Sequence, residues 1–420
     1  MEDDVIIEIK AMIKLSEDGL LSPTCCIYKV PHMIRNLKPN AYTPRVVSIG
    51  PIHYGNKRLH DMERHKQIFF KRFTQEAMTS LDDLVSFVKH LEPKVRASYS
   101  ENIDLSEKEL VKLTLVDAGF IIKLFMSSSK DQLRYDSKLS KPYLEDTTVK
   151  DLLLLENQLP FFVLEGLFNR AFPLHLCGKI PSFLHLTYNY FNHFNIQKLK
   201  PNFDVKINHF TDLIRFFHSP KTSPLRHSSL WAKDHVLLYS ASELQEEGVK
   251  LKANTSKCLL ELKFSGCVLE IPQILVENDT EILFRNMIAL EQCHYPYNSY
   301  ITDYAILLGR LINTREDVDV LIHGKIIISN SLGDTHDVAK VFKGLGKNII
   351  QNTVNSDYVY IYERLNDFYQ DRWHKMKATL RSDYCKTPWQ TVASFAGIIL
   401  LILALIQTIF SVLQVVLLNK

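Results

Sequence analysis

Two stretches of the chain, 62–91 and 105–126, carry apolar residues at the three- and four-residue spacing of a helix packed on a core. The first fourteen residues do so too, with Ile6, Ile9 and Ile13 on one face and Glu2, Asp3 and Asp4 placed for the helix dipole. They predict an amphipathic first helix docked on the core. Between 259 and 274 the period changes to alternation. Leu260, Leu262 and Phe264 face one way, Ser265 and Gly266 offer a tight turn, and Leu269 and Ile271 resume the pattern until Pro272. That predicts a short β-hairpin. Helical spacing then returns, with capping-box starts expected at Asn278/Glu281 and at Thr314/Asp317, the second helix closing near Gly324. Tyr358, Ile361, Leu365, Phe368, Met376 and Leu380 predict a long amphipathic helix. Polar, serine-rich stretches at 127–150 and 218–230 predict loop-like insertions. The fold class expected is mainly α, with one small hairpin.

The C-terminus differs from all of this. From Trp389 to Asn419 no residue is charged, which predicts a transmembrane helix over 389–418 behind a soluble helical domain of residues 1–385. Arg372, Lys375, Lys377, Arg381 and Lys386 precede that run and only Lys420 follows it, so the charge bias places the domain in the cytosol. The N-terminus has acids where a signal peptide needs a basic start. The expectation is a tail-anchored, single-pass protein at the plasma membrane or an endomembrane. Small and polar residues including Gly397, Ala404, Gln407, Ser411 and Gln414 share an arc of roughly 120° on an ideal helix. They predict an association face within the span. Cys385 lies where reversible lipidation occurs.

Composition refines the picture little. Hydrophobic residues make up 46 % of the 420 and charged residues 23 %, as in an ordinary folded protein. A net charge of +3 gives no reason to expect a nucleic-acid partner. Seven cysteines without a CxxC pair read as reduced thiols.

Candidate chemistry is sparse. His32 and His53 sit among prolines and a glycine, either as acid–base groups or as loop residues bonded to nearby backbone. Residues 57–72 are rich in lysine and arginine, which suits a phosphate or anionic surface as well as a solvated helix face. Glu156, Asn157 and Gln158 precede Pro160 in an apolar stretch. A break between two buried helices is expected there, its polar side chains closing the freed backbone groups, with a catalytic Glu156 as the alternative. Glu291 and His294 have the spacing of a di-iron helix, but no second such pair exists. Cys258, Cys267, Cys293 and His294 match no usual zinc spacing. GLGK at 344–347 lacks the rest of a phosphate loop, and no metalloprotease, nucleophile-elbow or kinase signature occurs. No catalytic, cofactor-binding or metal residue is assigned, and no cofactor is implied.

Three segments carry a resemblance. The first contains YKVPHMIR, YTPRVVSIGPIHYG and LHDMERHKQIFFKRF. The second is DLLLLENQLPFFVLEGLF, and the third runs from ASELQEEGVKLK through LEIPQILVENDTEILFRNMIALEQC and LINTREDVDVLI to the PW at 388–389. Together they resemble the plant domain-of-unknown-function 247 family. The resemblance implies a plant source, a mainly helical domain, a C-terminal anchor and, from relatives implicated in grass self-incompatibility, a role in recognition or signalling. Two function classes follow. One is a membrane-anchored interaction module with a protein partner, made through the domain or the span; the other is a membrane-tethered enzyme. A polar pocket with converging His, Glu or Asp would mark the enzyme.

Overall fold

The computed structural model describes residues 5, 6, 8 and 10, 22–129, 141–173, 180–221, 225–228, 236–329, 335–370 and 388–418. The stretch read as one helical run over 62–91 divides into α1 (His60–Glu76) and α2 (Leu81–Arg96). Ala77 turns extended, and the Ser80 side chain then accepts the Asp83 N–H to start α2. α3 (Glu107–Ser129) begins with a reciprocal Ser106–Glu109 capping pair. It is buried on nearly every side from Leu110 onward, as its all-round apolar sequence demands. Helices α1 and α2 pack against it, as does α6 (Phe183–Tyr190), which follows α4 (Pro142–Asp151) and α5 (Phe161–Ala171). Phe125 of α3 stacks on Tyr190 with ring centroids 4.2 Å apart and meets Phe210 at the start of α7 (Phe210–His218).

The second half adds β structure between helices. After β1 (Arg226–Ser228) and α8 (Ala241–Glu246) come β2 (Lys250–Asn254), β3 (Lys263–Ser265) and β4 (Val268–Pro272). β3 and β4 form an antiparallel hairpin with Phe264 opposite Leu269, and Gly266 takes a positive φ of 60° at the turn. The ladder starts at Lys263, later than the alternation from Leu260 suggests, and β2 joins β4 in parallel to make a three-stranded sheet. β5 (Ile274–Val276) follows, then α9 (Thr280–His294), α10 (Tyr300–Leu311) and α11 (Arg315–His323). β6 (Ile327–Ser329) pairs in parallel with β5, setting Leu275 beside Ile328. After α12 (Thr335–Leu345), β7 (Thr353–Asn355) returns to pair with β1 and leads into α13 (Ser356–Gln370). One hydrophobic cluster runs from Cys26 to Leu365 through both halves.

Polar side chains pin the irregular segments to this core. Asp151, at the end of α4, accepts the backbone N–H groups of Arg45, Val46 and Val47 at 2.6–2.9 Å. Asn157 accepts from Ile49 and donates to the carbonyls of Val47 and Asp151. Gln158 donates to Leu152 and Leu154 and accepts from Phe210. Each bond satisfies a buried backbone group that has no ladder or helix partner. Pro160 caps α5, so the expected break before it is present and spans nine residues between Asp151 and Phe161. Gly50 completes the junction: its N–H bonds to Asp117 at 2.9 Å, its φ is +70°, and a Cβ there would stand 2.4 Å from the Gln158 carbonyl oxygen.

Several expectations are corrected. The chain forms α14 over Pro388–Leu418, yet among the described residues no helix is long and apolar enough to cross a membrane. The transmembrane helix at 389–418, the tail-anchored single-pass topology, the integral membrane partner and the location drawn from them therefore do not stand. Of the face expected for the first helix only Ile6 is described, and it is about half exposed; Ile9 and Ile13 lie outside the described residues. Asp279, and not Asn278, precedes α9 and forms no side-chain cap, whereas the Thr314/Asp317 box forms as read. α4 occupies the end of the 127–150 stretch, and β1 lies within 218–230. The 371–380 part of the long amphipathic helix lies outside the described residues.

Gly50→Ala should lower unfolding stability by about 2–4 kcal/mol, because the new methyl combines a strained φ with a backbone clash. Urea denaturation of the two proteins measures it; a change within 0.5 kcal/mol, roughly that of a neutral surface substitution, would show that the 43–50 segment can shift away from Gln158.

Candidate functional site

The histidines and acids singled out by sequence lie in pinned, structural surroundings. Glu156 accepts the Val30 N–H at 2.8 Å, pairs with Arg35, and has His53 Nε2 3.2 Å from its second oxygen. Burial pushes the Glu156 carboxyl up, but His53, the Val30 N–H and Arg35 together hold it below its ordinary range. His32 is exposed on a single helical turn and bonds to Asn36. In the basic 57–72 segment Lys66 departs from the solvated-face reading. It is fully buried and donates to Asp117 and to the Ser48 carbonyl, and those partners with Glu63 keep it charged against the cost of burial. Phe69 and Phe73 are core residues.

The Glu291–His294 pair is likewise divided between structural tasks. Glu291 receives Arg215 and the N–H groups of Ile301 and Thr302, while His294 bonds Tyr28 across 3.0 Å. Cys25, Cys26, Cys258, Cys267 and Cys293 are free thiols. Among the described residues no three His, Cys, Asp or Glu side chains gather as a metal would need. Cys385 lies outside the described residues. Gly397, Ala404 and Gln407 are exposed on α14, and the side chains of Ser411 and Gln414 lie outside those described.

A cleft unmarked by any motif has a volume of about 840 Å³, within the usual range for small-molecule pockets. Its apolar lining comes from separate parts of the chain. Leu153 follows α4, Phe194 and Ile196 follow α6, Ile282 and Leu283 belong to α9, and Leu275 with Ile328 lies on the β5–β6 ribbon. Alternation along β5 turns Ile274 and Val276 into the core and leaves Gln273, Leu275 and Glu277 for the cleft.

A histidine–carboxylate contact and a doubly paired lysine tie the rim. His193 Nε2 stands 4.0 Å from Glu277, linking the 192–196 turn to the end of β5. Lys150 pairs with Asp146 and Asp279, joining α4 to the start of α9. Burial works against the Lys150 charge, but the two carboxylates hold its pKa above the ordinary value. From within, His218 at the end of α7 presents a ring that is only 4 % exposed. Burial pushes its pKa down, so the imidazole is neutral at pH 7.

Sequence reasoning missed this cleft for a physical reason. Its lining combines ordinary Leu, Ile and Phe with polar residues such as Asn254, Ser256 and Gln273, drawn from positions 150–328, and only folding gathers them. The one local signal was alternation continuing past Pro272, which the unbroken apolar run Ile274–Val276 hides.

Fold and cleft together define a mainly helical protein with small sheets and a largely apolar binding cleft. The chain belongs to the plant DUF247 family, whose model, described as a plant protein of unknown function, matches residues 27–403. It is 30 % identical to the Arabidopsis thaliana UPF0481 protein At3g47200 over 419 aligned positions, covering 93 % of this chain and 87 % of that one. The putative UPF0481 protein At3g02645 of the same plant is 23 % identical, over 94 % of this chain and 91 % of its own. None of these names states an activity. No solved structure matches.

The Glu156 cluster sets a pH dependence. A folded pKa below the unfolded value near 4.5 means that this site adds stability above that pH and loses it as pH falls through the folded value. Glu156→Gln should therefore be less stable than wild type at pH 7, with the gap narrowing on acidification below pH ~4.5. Denaturant titrations from pH 7 to pH 3 check this; a constant gap would mean that the Glu156 charge is not what the cluster stabilises.

Proposed function

We propose that this protein is a recognition module with no catalytic chemistry of its own, and that the cleft between the β5–β6 ribbon, α9 and the 192–196 turn is where recognition occurs. The observation that carries this reading is the contrast between two kinds of site. The buried acids and bases, Lys66, Asp117, Asp151, Glu156 and Glu291, are occupied in bonds that hold loops and helices together. The cleft is walled mainly by apolar surface, with Lys150 paired to Asp279 at the rim, His193 near Glu277 and Lys257 exposed to water. A pocket of that kind favours the transfer of an apolar body out of water, at roughly 25 cal/mol per Å² buried. Of its hydroxyls, Ser256 donates to the Glu261 carboxylate at 2.8 Å and Thr280 accepts the Glu277 N–H, and among the described residues neither is bonded to a histidine. Recognition through such a site suits a signalling role better than turnover does.

The reading is tested with a neutral fluorescent apolar probe, N-phenyl-1-naphthylamine, and the full-length chain. Wild type should bind it saturably with one equivalent per chain. Leu275→Trp places an indole into the cleft from a residue 41 % exposed, where the fold has room for it. It should weaken probe binding about tenfold or more while leaving the thermal midpoint within about 2 °C. Absence of saturable binding, or equal binding by the variant, would overturn the proposal.

A further inference from the structure

The cleft is bordered by one largely buried imidazole, that of His218. His218 Nδ1 lies 2.8 Å from the Ile214 carbonyl oxygen one turn earlier in α7. A carbonyl oxygen only accepts, so Nδ1 must carry the proton. In a neutral ring Nε2 then holds a lone pair and can only accept. Among the described residues Nε2 has no hydrogen-bond partner, although the side chain is more than nine-tenths buried and borders the cleft. The Phe284 ring stands edge-on to the imidazole at 6.5 Å and offers no donor of its own to replace water.

From this we infer that His218 determines specificity in the cleft, its Nε2 accepting a hydrogen bond from an O–H or N–H group on a small, uncharged, largely apolar ligand. The inference rests on reading the cleft as a recognition site and deepens it by naming the ligand class. Size and lining supply the apolar body: Phe194, Ile196, Leu275, Leu283 and Ile328 surround space for a fused-ring or branched skeleton. Neutrality follows from charge at the depth of the imidazole. Lys150 is matched by Asp146 and Asp279, Glu277 faces His193, and the remaining lining cation, Lys257, is exposed to water, so an ionic group carried inward to a neutral imidazole would lose its hydration without gaining a counter-charge beside the ring. The donor requirement follows from the fixed tautomer. A ligand lacking O–H or N–H leaves Nε2 dry and unpaired, and sites of this type reject such analogues.

The experiment compares 2-naphthol with 2-methoxynaphthalene by calorimetric titration of the full-length protein. They share a ring system, and only the first has a donor. Wild type should bind 2-naphthol about tenfold more tightly or better, and His218→Phe should bind the two within about threefold of each other. Histidine-labelled protein supplies a readout that needs no variant: the Nε2 nitrogen resonance of His218 should move on adding 2-naphthol and stay in place with the ether. Equal binding of both compounds by wild type, or a preference that survives in His218→Phe, would overturn the role of His218 and leave the cleft as a recognition site. Failure of both compounds to bind saturably would remove the recognition reading, and this inference with it.

Discussion

Irregular backbone inside a protein must find hydrogen-bond partners, and this fold meets that demand with a small set of buried carboxylates and amides. Asp151 takes three consecutive N–H groups from the 45–47 segment. Asp317 takes those of Ser242, Asn313 and Thr314, joining α8 to the start of α11. Glu291 holds the first turn of α10, and Asp303 accepts from Arg226, Gln351 and the Asn355 N–H, tying β1 and β7 to the same helix. An unpaired buried N–H costs about 1–3 kcal/mol, so these acceptors decide whether the connecting segments can enter the core at all. The long connections between helices become as fixed as the helices.

That rigidity produces the cleft. Its lining is contributed by segments just after α4 and α6, by the end of α7, by a two-stranded ribbon and by the first turns of α9. None would hold its position through local structure alone, since a two-stranded ribbon is marginal by itself. The Asp151 junction anchors the chain leading to Leu153, and Asn286 reaches from α9 to the Leu155 N–H and the Ala41 carbonyl. A cavity of this size with an apolar lining therefore persists because polar bonds outside it prevent collapse. His218 borders that cleft with one ring nitrogen bonded to the Ile214 carbonyl.

The apolar residues did not all mean what their pattern suggested. The ENQLP segment is structural, its polar side chains serving backbone groups from 30 to 210, as its position before Pro160 implied. Lys66 looked like one more charge on a wet helix face, yet it is the buried partner of Asp117. Charge runs carry no mark of which member turns inward. The uncharged C-terminal stretch suggested a membrane span by composition, whereas among the described residues no helix is long and apolar enough to cross one.

By itself the sequence determined the helical class, the hairpin turn at Gly266, the break before Pro160, the Thr314 cap and the family, because each depends on residues within a few positions of one another or on motifs read in order. The tertiary structure alone decided that α1 and α2 part at Ala77, that β2 lies parallel to β4 and β5 to β6, which acids pin which loops, and where the cleft opens. Parallel pairing and buried ion pairs join residues tens to hundreds of positions apart, and local periodicity contains no record of such distances. His218 shows the division at the scale of one atom. Its place at the end of an amphipathic helix is local, but the partnerless Nε2 facing an apolar cleft exists only once α7, α9 and the ribbon are packed together.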